Sequence, residues 1–169
     1  MVGYLIGIAT KTIRVAFYKG PRNWRTSIVS WWTGSIYTHV ELMLPSGDCI
    51  GITPEGTAGI RLLRNPEMHD AEWDFIDLQV SREQLTKIVG FFTHTHGQKY
   101  DWTGMIISHL SPFYVKHDRK WYCSQWIACA LTISDVFSFM YNKINPGKLH
   151  DILNIKVRNG LILGSIEDE

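Results

Sequence analysis

Nothing in the charge balance of this chain points to a polyanionic partner. Lys and Arg number 17 against 16 Asp and Glu over 169 residues, a net charge of +1. Such a chain has no global field for nucleic acid or anionic lipid. Cysteine is scarce. The 3 Cys, at Cys49, Cys123 and Cys129, are odd in number and lack paired or zinc-knuckle spacing, which argues against a disulfide framework and fits a reducing compartment. Long apolar runs are missing as well. None approaches the ~18 residues of a membrane span, and Met1–Thr10 lacks the basic flank and small-residue cleavage site of a signal peptide. The expected setting is cytoplasm. There is no repeat and no low-complexity segment. The composition, 45% hydrophobic and 20% charged, is that of one soluble globular domain, 1–169, with its own core.

Aromatics are plentiful, at 12% with 7 Trp. Clusters such as Trp31-Trp32 and Trp121-Tyr122 read mainly as core packing, with the lining of a cleft as the alternative. Runs rich in Ile, Val and aromatics predict strands at Tyr4–Ala9, Thr12–Tyr18, Tyr37–Leu44, Cys49–Ile52, Ile60–Leu63, Trp73–Val80 and Val157–Leu163. Pro45-Ser46-Gly47-Asp48 predicts the turn of a hairpin. Asn23 predicts the cap of a short helix to about Trp32. Ser81 and Gln84 have capping-box spacing, which predicts a helix to about His94 stopped by Gly97. Further helices are expected from Tyr100 to about His109, from Ser124 to Ile133, and from Pro146 to Leu153 with Pro at a favoured first position. Val115–Lys120 reads as a polar loop. The fold class is α+β, a central antiparallel sheet packed against helices.

Cys123, at the start of a predicted helix in Trp121-Tyr122-Cys123-Ser124-Gln125-Trp126, is the candidate nucleophile. Unpaired N–H groups and the helix dipole favour the thiolate there. A base is needed, and among 7 His the candidate is His39, on a strand. Period-2 alternation puts Glu41 on the same face, placed to orient the ring. A solvent-facing His-Glu pair on an edge strand is the alternative. His94 and His96, with His69 or Asp101, read as helix-end surface residues rather than metal ligands, because no third ligand has a recognisable spacing. His109, His117 and His150 read as isolated. Arg14, Lys19, Arg22 and Arg25 read as a solvated face, with a patch for an acidic substrate group as the alternative.

Five motifs occur in order: Tyr37-Thr38-His39-Val40-Glu41-Leu42, Gly59-Ile60-Arg61, Tyr100-Asp101-Trp102-Thr103-Gly104, the Cys123 run, and Asn145-Pro146-Gly147-Lys148-Leu149. Over about Tyr4 to Leu153 the set resembles the circularly permuted NlpC-like (YiiX-type) branch of the papain-fold cysteine hydrolases, in its small stand-alone phage form. The resemblance implies a permuted papain-like fold with the His strand ahead of the Cys helix, Cys123 as nucleophile and His39 as base. It implies no metal and no cofactor. The family's third polar residue sits on the strand after the His strand, a slot that falls near Gly51–Thr53, where Gly51 has no side chain and Ile52 is apolar. Glu41, Thr53 and Glu55 are the possible substitutes, and Glu41 is favoured. Gln125 stands where the family often carries Glu. Tyr37, Tyr122, Ser124 and Gln125 are the remaining candidates for substrate or oxyanion contacts, beside the backbone N–H of Cys123.

Three functional expectations follow. The first is a peptidase or amidase acting on a peptidoglycan-type peptide through a thioester. The second is a thioester-mediated acyltransferase or lipid hydrolase, like the lecithin:retinol acyltransferase-like relatives. The third is a degenerate phage protein that binds a host or virion partner, supported by the bare Gly51. Nucleic acid and integral membrane association are not expected; a location in the virion is compatible with the phage form.

Overall fold

The computed structural model describes residues 10–20, 34–52, 59–101, 120–138 and 144–160, without the Tyr100 side chain. Five strands form one antiparallel sheet: β1 (Lys11–Tyr18), β2 (His39–Met43), β3 (Cys49–Ile52), β4 (Ile60–Leu63) and β5 (Trp73–Val80), in the order β4-β3-β2-β1-β5. Three described helices accompany it: α1 (Arg82–Thr95), α2 (Cys123–Ile133) and α3 (Pro146–Arg158). Two short strands, β6 (Lys99–Tyr100) and β7 (Lys120–Trp121), pair in parallel. The α+β class is therefore observed. No described helix is long and apolar enough to cross a membrane.

Register follows from alternation. Val15 and Phe17 of β1 lie opposite Leu42 and Val40 of β2, and all four are fully buried with Ile13, Leu78, Trp126 and Ile127 in one core. Because side chains alternate, the same register turns His39, Glu41 and Met43 to the other face, opposite Tyr18, Ala16 and Arg14.

The helix ends have local causes. Ser81 accepts from Gln84 N–H and the Gln84 side chain accepts from Ser81 N–H, a complete capping box. Gly97, at φ +77°, supplies the left-handed turn after α1. Asn145 accepts from Lys148 N–H at 2.8 Å and Pro146 opens α3.

Four expectations differ from what is observed. Tyr100 ends strand β6 instead of opening a helix, because Lys99–Tyr100 pairs with Lys120–Trp121. That pairing also makes Lys120 strand, not loop. Val157 and Arg158 close α3 rather than open a strand, since the helix continues until Asn159 N–H reaches Ile155 O. Helix α2 starts at Cys123 itself, one residue earlier than expected. The predicted strand at 4–9, the helix at 23–32, residues 102–109 and residues 161–163 lie outside the described residues.

Candidate active site

Cys123 is held by four ties made close to it in the chain. Strand β7 pairs with β6 just before it, and Asp101 N–H donates to Trp121 O at 2.9 Å. The Trp121 indole donates to Gln98 Oε1 at 2.7 Å. One residue on, the Ser124 hydroxyl donates to Ile144 O at 2.6 Å. The Trp126 indole donates to Thr95 Oγ1 at 2.9 Å and stacks on Phe91. Tyr122 is the N-cap but gives no side-chain cap, and the first turn has no acidic residue. The leading N–H groups of α2 are thus neither side-chain capped nor facing a carboxylate of their own turn, which keeps the helix end favourable to negative charge.

His39 opens β2, and Cys123 and Glu41 are the two side chains that act on the charge of its ring. On the same strand Glu41 Oε1 lies 3.3 Å from His39 Nε2. Burial by itself lowers the pKa of this ring. The hydrogen bonds with Cys123 and Glu41, and the negative charge of both partners, outweigh burial and raise it to about 10. The His39 side chain keeps 20% of its surface exposed whereas the Glu41 side chain keeps 6%, so the imidazole faces the outside and the carboxylate stands behind it. The ring of Trp73 meets His39 edge-on, with centroids 6.4 Å apart, and packs in turn on Tyr18. Glu41 stands on the same face as His39, as period-2 spacing predicts, and the alternative of a solvent-facing His-Glu pair on an edge strand does not hold, because β2 lies inside the sheet between β1 and β3.

The slot at Gly51 has a physical explanation. Continuing the pairing of Leu42 with Ile50 places Gly51 opposite Glu41. A Cβ on Gly51 would lie 2.7 Å from Glu41 Oε1 and 3.0 Å from its Cδ. The space left by the missing side chain is filled by Glu41, so the bare glycine no longer argues for degeneracy.

Other candidates are placed elsewhere. The Tyr37 hydroxyl donates to Asp74 Oδ2 at 2.6 Å and meets His150 Nε2 at 3.2 Å. Burial and the Asp74 hydrogen bond push its pKa up, so it remains a phenol. This network, with Lys19 on Asp74 at 2.6 Å, engages the Tyr37 hydroxyl with β5 and α3. It also shows His150 to be partnered, not isolated. The Ser124 hydroxyl is spent on the backbone of Ile144, and Gln125 is buried beside it in the chain. Thr53, Glu55, His109, His117, Arg22 and Arg25 lie outside the described residues. Arg14 pairs with Asp77 and Lys19 with Asp74, so these two cations do not form a patch together. His94 and His96 are exposed, and the described residues contain no group of three potential metal ligands.

Sequence reasoning missed Trp73 and the Asp74–His150 network. The relevant signal is register: Tyr18 lies opposite both His39 and Trp73, which requires knowing that β5 pairs with β1. No family model matches this chain, and no curated protein matches it significantly.

Proposed function

We propose that this chain is a cysteine hydrolase of the permuted papain-like, NlpC-like kind, cleaving an amide bond in a peptidoglycan-type peptide. The observation that carries the reading is one imidazole, His39, with Glu41 Oε1 3.3 Å from its Nε2 and Cys123 acting on its charge, the sulfur standing at a helix start. The Cys123 sulfur attacks the carbonyl carbon, and the negative oxygen that forms is received by backbone N–H at the head of α2. The His39 imidazolium gives its proton to the departing amine nitrogen as the C–N bond breaks, leaving a thioester and a neutral ring. The ring then takes a proton from water, whose oxygen attacks the thioester. The C–S bond breaks, and the carboxylic product leaves the sulfur and imidazolium as they began. Glu41 balances the imidazolium and fixes its plane.

Muropeptides incubated with the protein are expected to release new amino groups, detected by mass spectrometry, with an acyl adduct on Cys123 at early times. The Cys123→Ala variant is expected to release none while keeping its circular dichroism and melting temperature. Release that persists in Cys123→Ala overturns the assignment. An adduct that passes to an added acyl acceptor instead of water moves the chain to the acyltransferase reading.

A further inference from the structure

The Glu41 carboxylate has an uneven set of partners. Oε1 takes His39 Nε2 at 3.3 Å. Oε2 is buried and has no hydrogen-bond partner. One oxygen therefore carries the whole task of holding the ring, and no second bond anchors the carboxylate among the described residues. Its place is set by the room it occupies. That room lies over Gly51, where a Cβ would stand 2.7 Å from Oε1, 3.0 Å from Cδ and 3.3 Å from Cγ. Contacts below about 3 Å force something to move, and here the easiest thing to move is the end of the Glu41 side chain. That same end holds His39.

The backbone at Gly51 gives no other reason for glycine. Its φ is not in the left-handed region, and it sits inside strand β3, paired with Arg61 of β4. Glycine in a strand interior is less favourable than alanine, because it loses more backbone freedom on folding. Alanine would thus suit the strand better, and the three atoms nearest its Cβ all belong to the Glu41 side chain.

We propose that Gly51 is a positioning residue for the base: its missing side chain is the seat of the Glu41 carboxylate, and positions 41 and 51 work as a reciprocal pair that delivers one carboxylate oxygen to His39. This rests on the hydrolase reading for its purpose, but not for its test. Gly51→Ala is expected to fold with unchanged or slightly higher stability while releasing the ring. Aspartate at 51 on a Glu41→Ala background restores a carboxylate, because the Cβ it adds stands within 2.7 Å of the present Oε1 position.

The experiment follows the His39 ring by NMR titration in the full chain, together with iodoacetamide labelling of Cys123. Gly51→Ala and Glu41→Gln are each expected to move the His39 titration to lower pH and to slow Cys123 labelling at pH 7 by about tenfold, the loss of one charge-assisted hydrogen bond. Glu41→Ala/Gly51→Asp is expected to recover at least half of the displaced titration. A His39 titration unmoved in a folded Gly51→Ala overturns the proposal, as does a double variant no better than Glu41→Ala alone. Should Cys123 label no faster than Cys49 and Cys129 whatever stands at 39, the hydrolase reading fails instead, and the ring's titration still decides on Gly51.

Discussion

Replacing His39 by alanine removes one partner from a cysteine, Cys123, that is itself only 4% exposed, and the consequence can be sized. A hydrogen bond between an imidazolium and a thiolate belongs to the charge-assisted class, worth about 1.5–3 kcal/mol. At about 1.4 kcal/mol per decade this is a ten- to hundredfold change in the thiolate population near neutrality. Iodoacetamide alkylation at pH 7, read peptide by peptide by mass spectrometry, is therefore expected to slow about ten- to hundredfold at Cys123 in His39→Ala. The chain supplies its own reference. Burial, with the charges of Glu41 and Asp48, pushes the Cys49 thiol up to about 12, so only about one molecule in 10⁵ carries that thiolate at pH 7. The His39 ring holds its proton to about 10, so in the wild type the sulfur keeps a cationic neighbour at pH 7 that His39→Ala lacks. An unchanged Cys123 rate in His39→Ala, or equal labelling of all three cysteines, would refute the pairing.

Tyr37→Phe is expected to cost about 1.5 kcal/mol in urea denaturation, from the lost bond to Asp74, and to leave Cys123 alkylation unchanged. A fall in alkylation as large as that of His39→Ala would return the hydroxyl to the catalytic site. The Asp74 carboxyl is held below its ordinary value: burial opposes this, but the hydrogen bonds from Lys19 and Tyr37 prevail. A depressed folded pKa gives stability that is present above the unfolded value of about 3.9 and lost as pH falls through the lower folded value. The stability gap between wild type and Asp74→Asn is thus expected to narrow as pH is lowered from 6 toward 3. A gap that stays constant over that range would contradict the network.

Most of the β-elements and the candidate pair were legible because they depend on local chemistry. Cys49–Ile52, Ile60–Leu63 and Trp73–Val80 carry apolar or alternating runs between turn residues, and each is a strand with those bounds. Ser81 and Gln84 meet within one helical turn, so spacing alone predicts their bonds. His39 and Glu41 are two apart on one strand, so period-2 geometry suffices. The misread elements depend on distant partners. Tyr100 carries no mark of its pairing with Trp121, which is made by backbone groups. Tyr37 is a site candidate in the sequence only through its nearness to His39. What decides its role is Asp74 on β5 and His150 on α3, and neither is legible without strand order and helix placement. Gly51 looked like a loss because a glycine announces only what is missing. The side chain that uses the space belongs to another strand.

The arrangement also separates what holds the site from what acts in it. The His39 ring and the Glu41 carboxylate share β2, whose backbone is paired along His39–Met43 to β1, so their mutual geometry needs no distant contact. Only the sulfur arrives from afar. The groups that deliver it, Trp121, Ser124 and Trp126, bond to Gln98, Ile144 and Thr95, and none of these bonds uses Cys123, His39 or Glu41. The side chains of Cys123, His39 and Glu41 can therefore be exchanged without withdrawing any of these bonds. Changes at the delivering bonds should do the reverse. Thr95→Val leaves the Trp126 indole without its partner in the core, a loss of about 1–3 kcal/mol. It is expected to lower the unfolding midpoint while slowing Cys123 alkylation by less than His39→Ala does, because β7, Trp121 and Ser124 still hold the head of the helix. A Thr95→Val protein of native stability whose Cys123 is as inert as in His39→Ala would mean that the sulfur is placed by that one bond and not by the set.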